Sequence, residues 1–256
     1  MFDIDQYLAK IGYDGPLEPT LDTLRRLQKL HLMAVPFDNF LNGERGVGIW
    51  EGVEIDLDLT FKAVITGGRG GVCYELNGLF RELLNRIGFE VIVLSAGVRG
   101  PDGRFGPEIE HLFNGVRLDG ELWLVDVGYS GPSYLEPVKV SEEVQEQYGT
   151  EFRVVESEGF QVLERRPRDG DWLAVYRLLT QPRRLSEWTE ENPALAAHAR
   201  ELAASETLIR GRALENGQLT LTGRRFLRVE DGREQVRVLI KAADFDEVLR
   251  HVLLQD

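Results

Sequence analysis

The sequence predicts an α+β protein, helical at its start and stranded after it. Three observations carry that reading. Apolar residues fall at helical spacing through most of the first 90 positions. From residue 91 the texture turns to short apolar and alternating runs, two of them joined by Asp119-Gly120, a two-residue hairpin signal. The last stretch mixes both patterns. Helices, then strands, then a mixture argue against a doubly wound sheet, in which the two would alternate throughout.

The elements follow in order. Asp3 is placed to cap a helix over 3–11, with Ile4, Tyr7, Leu8 and Ile11 at helical spacing and Gly12 to end it. A second helix follows Thr20, with Leu21, Leu24, Leu27 and Leu30 on one face. Val35-Pro36-Phe37 breaks it, because the residue before a proline leaves the helical region. Residues 41–57 read as an irregular connection and 58–65 as a short helix. Gly67-Gly68-Arg69-Gly70-Gly71-Val72-Cys73 then leads into an amphipathic helix marked by Leu76, Leu79, Phe80, Leu83, Leu84 and Ile87 and stopped by Gly88. Strands are predicted over 91–98, 109–118, 121–127, 151–156, 160–165 and 172–179. A helix follows over 193–204, then hairpins around Asn216-Gly217 and Asp231-Gly232. Phe245, Val248, Leu249 and Val252 mark a terminal helix.

Composition narrows the function classes. The 256 residues suffice for a sizeable core, in one large domain or two to three small lobes. No apolar run reaches the roughly 18 residues a membrane span needs. Met1-Phe2-Asp3-Ile4-Asp5 lacks the basic and apolar regions of a signal peptide, so no membrane partner and a cytoplasmic location are expected. A net charge of -13 sets nucleic-acid binding aside and means that an anionic partner would need a local basic patch. Arginines cluster at Arg165-Arg166-Pro167-Arg168, Arg183-Arg184 and Arg224-Arg225, each read first as the solvated face of a hairpin. The single cysteine excludes an internal disulfide, and no Cys/His cluster has zinc-ligand spacing, so no metal is expected.

That cysteine, Cys73, lies where a glycine-rich turn runs into a helix. Free amides and the positive dipole end there favour a thiolate and can hold an oxyanion. The glycines allow a tight bend and a close substrate, and Arg69 adds positive charge. A lone cysteine is otherwise an inert core residue; the surrounding glycines, arginine and helix start favour the nucleophile. The turn is not a phosphate loop, since it lacks that motif's lysine and Ser/Thr and follows no clear strand.

A thiolate nucleophile needs a base and a group to orient it. Of four histidines, His31, His198 and His251 lie in helices and read as structural or exposed, whereas His111 lies in a strand. If Asp119-Gly120 is the two-residue turn, Leu118 faces Glu121 and Asp126 falls opposite Phe113. Side chains alternate along a strand, so His111, Phe113 and Asp126 share a face. His111 and Asp126 become diagonal neighbours roughly 7–8 Å apart, within reach of an imidazole–carboxylate hydrogen bond. A slip of one residue would separate them. Asp126 also sits in an apolar strand, where an unpaired carboxylate is costly. Bringing Cys73 to this hairpin is left to the tertiary fold.

Arg69-Gly70-Gly71-Val72-Cys73-Tyr74-Glu75-Leu76-Asn77, Glu110-His111-Leu112 and Val125-Asp126-Val127-Gly128-Tyr129 resemble, in order, the motifs of the arylamine N-acetyltransferase family. Val35-Pro36-Phe37-Asp38-Asn39 is similar to its helical-domain motif, with Asp38 where glutamate is usual. The resemblance implies a helical domain over 1–90, a β-barrel over 91–190 and an α/β lid over 191–256, with a papain-like Cys-His-Asp triad. Carried over, Cys73 is the nucleophile, His111 the base and Asp126 the orienting group. Phe37, Arg69 and Tyr129 are candidates for substrate binding.

Ser130 departs from the family, which usually has glycine there. The stretch from Ser130 to Pro137, with 144–149, 180–183 and 232–237, resembles the amide synthases of ansamycin antibiotic pathways, a branch of the same family. That resemblance implies transfer of a polyketide acyl group from a carrier-protein phosphopantetheine thioester to an aromatic amine, closing a macrolactam. Acetyl transfer from coenzyme A to a simple arylamine is the alternative with the same triad. A cysteine peptidase and a non-enzymatic interaction protein are the alternatives of other classes. No permanently bound cofactor is expected.

Overall fold

The computed structural model describes residues 1–41, 50, 52–189 and 192–254. Most of the predicted irregular connection over 41–57 (residues 42–49 and 51) lies outside them. The N-terminal part holds α1 (Ile4–Ile11), α2 (Leu21–Ala34), the two-residue strand β1 (Phe37–Asp38), α3 (Leu57–Phe61) and α4 (Cys73–Ile87). Asp3 and Thr20 cap α1 and α2 through their side chains, and Gly12 and Gly88 end α1 and α4 in the left-handed conformation. Where one short helix was predicted over 58–65, α3 opens at its C-terminus into a wider π turn, Lys62–Thr66. The buried faces of α1, α2 and α4 meet in one core through Tyr7, Leu24, Leu27, Leu79, Phe80 and Leu83.

Eight strands form the central sheet: β2 (Glu90–Val98), β3 (His111–Leu118), β4 (Glu121–Val125), β5 (Val138–Lys139), β6 (Gln145–Gln147), β7 (Thr150–Ser157), β8 (Phe160–Arg166) and β9 (Leu173–Leu178). Their spatial order is β5-β4-β3-β2-β9-β8-β7-β6, a sheet that curls nearly into a barrel. The seam between β5 and β6 is bridged by side-chain amides. Gln145 accepts from the Lys139 N–H (2.8 Å) and donates to its carbonyl (2.9 Å), and Gln147 does the same for Glu136 at 3.0 and 2.8 Å. A glutamine amide presents the donor and acceptor that a neighbouring strand would have supplied. The strands β5 and β6, too short for a periodicity signal, escape the sequence reading.

A second sheet has the order β1-β10-β11-β12-β13, where β10 is Ile209–Leu214, β11 Gly217–Thr222, β12 Arg225–Glu230 and β13 Arg233–Val238. It is flanked by α5 (Pro193–Ser205) and α6 (Ala242–Leu253); α6 buries Val252 against Leu219, Leu221 and Phe226. The predicted hairpin at Asn216-Gly217 is shifted by one residue. Its turn is Glu215-Asn216, and Gly217 opens β11, where a Cβ would come within 1.9 Å of the Val229 carbonyl.

The two sheets touch at hairpin tips. Tyr148-Gly149 joins β6 to β7 and Asp231-Gly232 joins β12 to β13, each with two positive φ angles, the signature of a tight two-residue turn. A Cβ on Gly232 (φ 74°) would stand 1.9 Å from the Gly149 carbonyl oxygen. Gly159 has a similar φ of 83° but open space around it. Gly159→Ala is therefore expected to cost about 1 kcal/mol, and Gly232→Ala about 2–4 kcal/mol, because the second adds a backbone clash to the same conformational strain. Thermal unfolding of the two variants against the parent checks the difference.

Candidate active site

The glycine-rich turn is held from three sides. A parallel bridge pairs Gly71 with Phe37, and Gly70 lies so close to Asp38 that a Cβ would meet its side chain at 2.8 Å. Glu75 reaches back from the first turn of α4 to accept the Val72 N–H at 3.2 Å. Arg69 pairs with the same carboxylate at 2.7 Å. The turn delivers Cys73 as the first residue of α4, 9% exposed, where the amides have no acceptor within the helix.

The β3–β4 hairpin has the predicted register: Leu118 pairs with Glu121 and Asn114 with Val125. Asp119 and Gly120 have φ of 53° and 80°. The ladder ends at Val125, and Asp126 stands one position beyond it, where the pairing would place Phe113 opposite. His111 Nε2 lies 2.6 Å from Asp126 Oδ2, and the imidazole stacks on Phe113 with centroids 5.7 Å apart. Cys73 lies close enough to His111 to help raise its pKa. The structure thus brings together Cys73, His111 and Asp126.

Burial alone would lower the His111 pKa. The Asp126 charge and hydrogen bond, followed by those of Cys73, outweigh it and raise the value to about 10. The imidazolium is therefore the resting form at neutral pH. His31 shows the opposite case: burial without a charged partner lowers its pKa to about 3, and Tyr7 Oη sits 2.8 Å from its Nδ1.

Two site residues and one close approach escaped the sequence reading. Asn77 lies one helical turn after Cys73 on α4 and donates from Nδ2 to Asp126 Oδ1 and to the Leu112 carbonyl, both at 3.0 Å. Its Oδ1 accepts from the Val127 N–H at 3.0 Å. Asn114 of β3 donates to the Asn77 carbonyl at 2.9 Å. One available signal was a polar residue four positions after the cysteine, on the buried face of an amphipathic helix. Gly128 donates its N–H to Asp126 Oδ1 at 2.9 Å, and a Cβ there would sit 2.6 Å from the Cys73 Cα. Glycine at this position lets the end of β4 come up against the start of α4.

A cavity of about 310 Å³ opens above Cys73 and His111. Phe37 and Tyr129 line it. Arg69 does not; it braces the turn through Glu75. The far wall comes from the second sheet through Ile209, Thr220, Arg225 and Leu227. Glu110 also lines it and lies 3.0 Å from His198 Nε2 of α5. Among the described residues, no group of acidic, histidine and cysteine side chains could hold a metal ion, and no helix is long and apolar enough to cross a membrane.

A buried cysteine–histidine–carboxylate cluster at the floor of a cleft is an arrangement with the chemistry for nucleophilic acyl transfer. The sequence profile described as N-acetyltransferase matches residues 20–254, and the chain belongs to the arylamine N-acetyltransferase family of acyltransferases. It is 44% identical over 260 residues to proansamycin X synthase of Amycolatopsis mediterranei, with 100% of this chain and 98% of that protein aligned. It is 29% identical to an Escherichia coli arylamine N-acetyltransferase over 90% of this chain and 80% of that one. The structure of the Mycobacterium marinum arylamine N-acetyltransferase in complex with CoA superposes with a TM-score of 0.79 at 25% identity, covering 98% and 93% of the two chains.

Proposed function

We propose that the protein is an amide synthase that takes a polyketide acyl group from a carrier-protein thioester onto Cys73 and passes it to an aromatic amine on the same molecule, closing a macrolactam. The observation that carries this reading is the similarity to proansamycin X synthase, 44% identical along 100% of this chain and 98% of that protein. The cavity of about 310 Å³ above Cys73, lined by Phe37 and Tyr129, reaches the lower end of the roughly 300–1,000 Å³ of ligand pockets and offers an aromatic acceptor a place beside the acyl-cysteine.

Cys73 Sγ attacks the thioester carbonyl, and a tetrahedral oxyanion forms beside the first amides of α4. Collapse breaks the carbon–sulfur bond to the carrier, and the imidazolium of His111 protonates the departing thiolate. Neutral His111 then accepts the amine proton as nitrogen attacks the acyl-cysteine. The Cys73 thiolate leaves and the imidazolium is restored. An arylamine is neutral at pH 7 and attacks without prior deprotonation. Donor and acceptor on one chain make the second step intramolecular. Asp126 and Asn77 keep the imidazole aimed at the sulfur. A single unpaired thiol and an intracellular thioester donor go with a cytoplasmic location. The division at residues 90 and 190 into helical part, barrel and lid belongs to the same reading.

The test compares two donors. A long amino-aryl N-acetylcysteamine thioester is expected to cyclise with kcat/KM at least about tenfold above that for acetyl-CoA with aniline, a difference of about 1.4 kcal/mol in transition-state binding. The reverse ranking would make the protein an arylamine N-acetyltransferase proper. Turnover of neither would remove the acyl-transfer reading.

A further inference from the structure

The strand β13 is the outer edge of the second sheet, and all six of its residues are exposed. It carries Val236 at 51% and Val238 at 66% exposure, and Ile240 follows at 83%. An edge strand of this kind offers unpaired backbone groups and is usually guarded by charge. Arginines guard this one, yet the valines beside them are uncovered, which a purely defensive edge avoids.

The arginines are unusual for this chain. Arg225 of β12 and Arg233 and Arg237 of β13 are exposed, and among the described residues none has an ion-pair partner. Neighbouring arginines are paired: Arg228 with Glu230 and Arg165 with Glu234. These three unpaired cations are spread along the free edge of a protein of net charge -13, Arg225 and Arg237 towards one end and Arg233 at the Asp231-Gly232 turn. The Arg225 end of the row adjoins the site. Arg225 lines the Cys73 cavity and pairs across the sheet with Val238, so both face that side. Leu227, also in the cavity wall, pairs with Val236 in the same way. Arg233 and Arg237 project from the opposite face of β13. A partner covering the edge meets both faces together with the mouth of the cavity.

We propose that this edge docks an acidic carrier protein that presents its phosphopantetheine thioester to Cys73. Arg225 takes the phosphate at the cavity mouth, Arg233 and Arg237 take carboxylates of the carrier, and Val236, Val238 and Ile240 supply the apolar centre of the contact. Charge pairs at such a rim act on the encounter rate more than on the chemistry. The inference rests on the acyl-transfer reading above and adds where the donor binds.

The experiment uses the full chain and two donors of one acyl group: a benzoyl-loaded acyl carrier protein and benzoyl N-acetylcysteamine, with aniline as acceptor. In Arg233→Glu/Arg237→Glu, kcat/KM with the carrier is expected to fall about tenfold or more, while the small thioester reacts within about twofold of the parent. The parent's carrier reaction should also slow as sodium chloride is raised, and its small-thioester reaction should not. The surface is wrong if both donors slow together, if the carrier reaction is untouched, or if only the small thioester is a donor. It is also wrong if sedimentation shows a dimer that the double variant dissociates, since β13 would then pair with a second copy. If neither donor acylates Cys73, the acyl-transfer reading fails and this inference falls with it.

Discussion

Replacing Cys73 by alanine is expected to abolish acyl transfer, with a loss of about 10⁴-fold or more, and to leave no acyl adduct in the intact mass after exposure to a thioester donor. The loss should be in chemistry rather than in folding. Cys73 is only 9% exposed, but its side chain is small and faces the cavity, so alanine leaves space that already adjoins an open cleft. Thermal stability should stay within about 1 kcal/mol of the parent. An alanine variant that kept its turnover, or one that still gained the acyl mass, would move the nucleophile elsewhere.

Replacing Asp126 by asparagine should cost almost as much, by another route. Asp126 accepts from His111 Nε2, Asn77 Nδ2 and the Gly128 N–H. Asparagine keeps the shape but removes the charge that opposes the burial of His111. The imidazole pKa should then drop from about 10 to below its ordinary 6.5. At pH 7 the thiol would lose its imidazolium partner, and kcat should fall by about 10³–10⁴-fold. Stability changes in a definite pH window. In the parent, a histidine whose pKa is raised on folding contributes stability that is full below about 6.5 and is lost as pH rises to about 10. In the variant that contribution should vanish, so the two proteins should differ most below pH 6.5 and converge above pH 10. His31, with its pKa lowered to about 3, removes stability from both as pH falls from 6.5 to 3. Urea unfolding at a series of pH values reads both effects.

The site was legible where it is local. A two-residue turn fixes the pairing of its strands, so Asp119-Gly120 sufficed to put His111 and Asp126 on one face. A glycine-rich turn before an amphipathic stretch sufficed to put Cys73 at a helix start. What was not legible depends on distance along the chain. Asn77 looked like one more residue of a helix until β3 and β4 came to lie against it. Arg69 looked free to meet a substrate because the reach of Glu75 back across the turn has no pattern of its own. The barrel seam at Gln145 and Gln147 was hidden because side chains there do the work of backbone, and a glutamine in a short strand carries no sign of that use. Gly217 was read as a turn residue on propensity, but close approach to Val229 is what requires it.

The strand β1 is only two residues long, yet it connects the beginning of the chain to its last third. Phe37 pairs with Gly211 on one side and bridges Gly71 on the other, and Asp38 holds Arg210 at 3.0 Å. The turn that presents Cys73 therefore leans on a partner translated long after it. On the ribosome, α1, α2, α4 and the contacts of β1 and Glu75 with the turn can form early. The far side of β1 and the wall facing Cys73 are missing until β10 and the strands after it have emerged. The order of synthesis thus makes the turn that carries the thiol early and the wall of its cleft last.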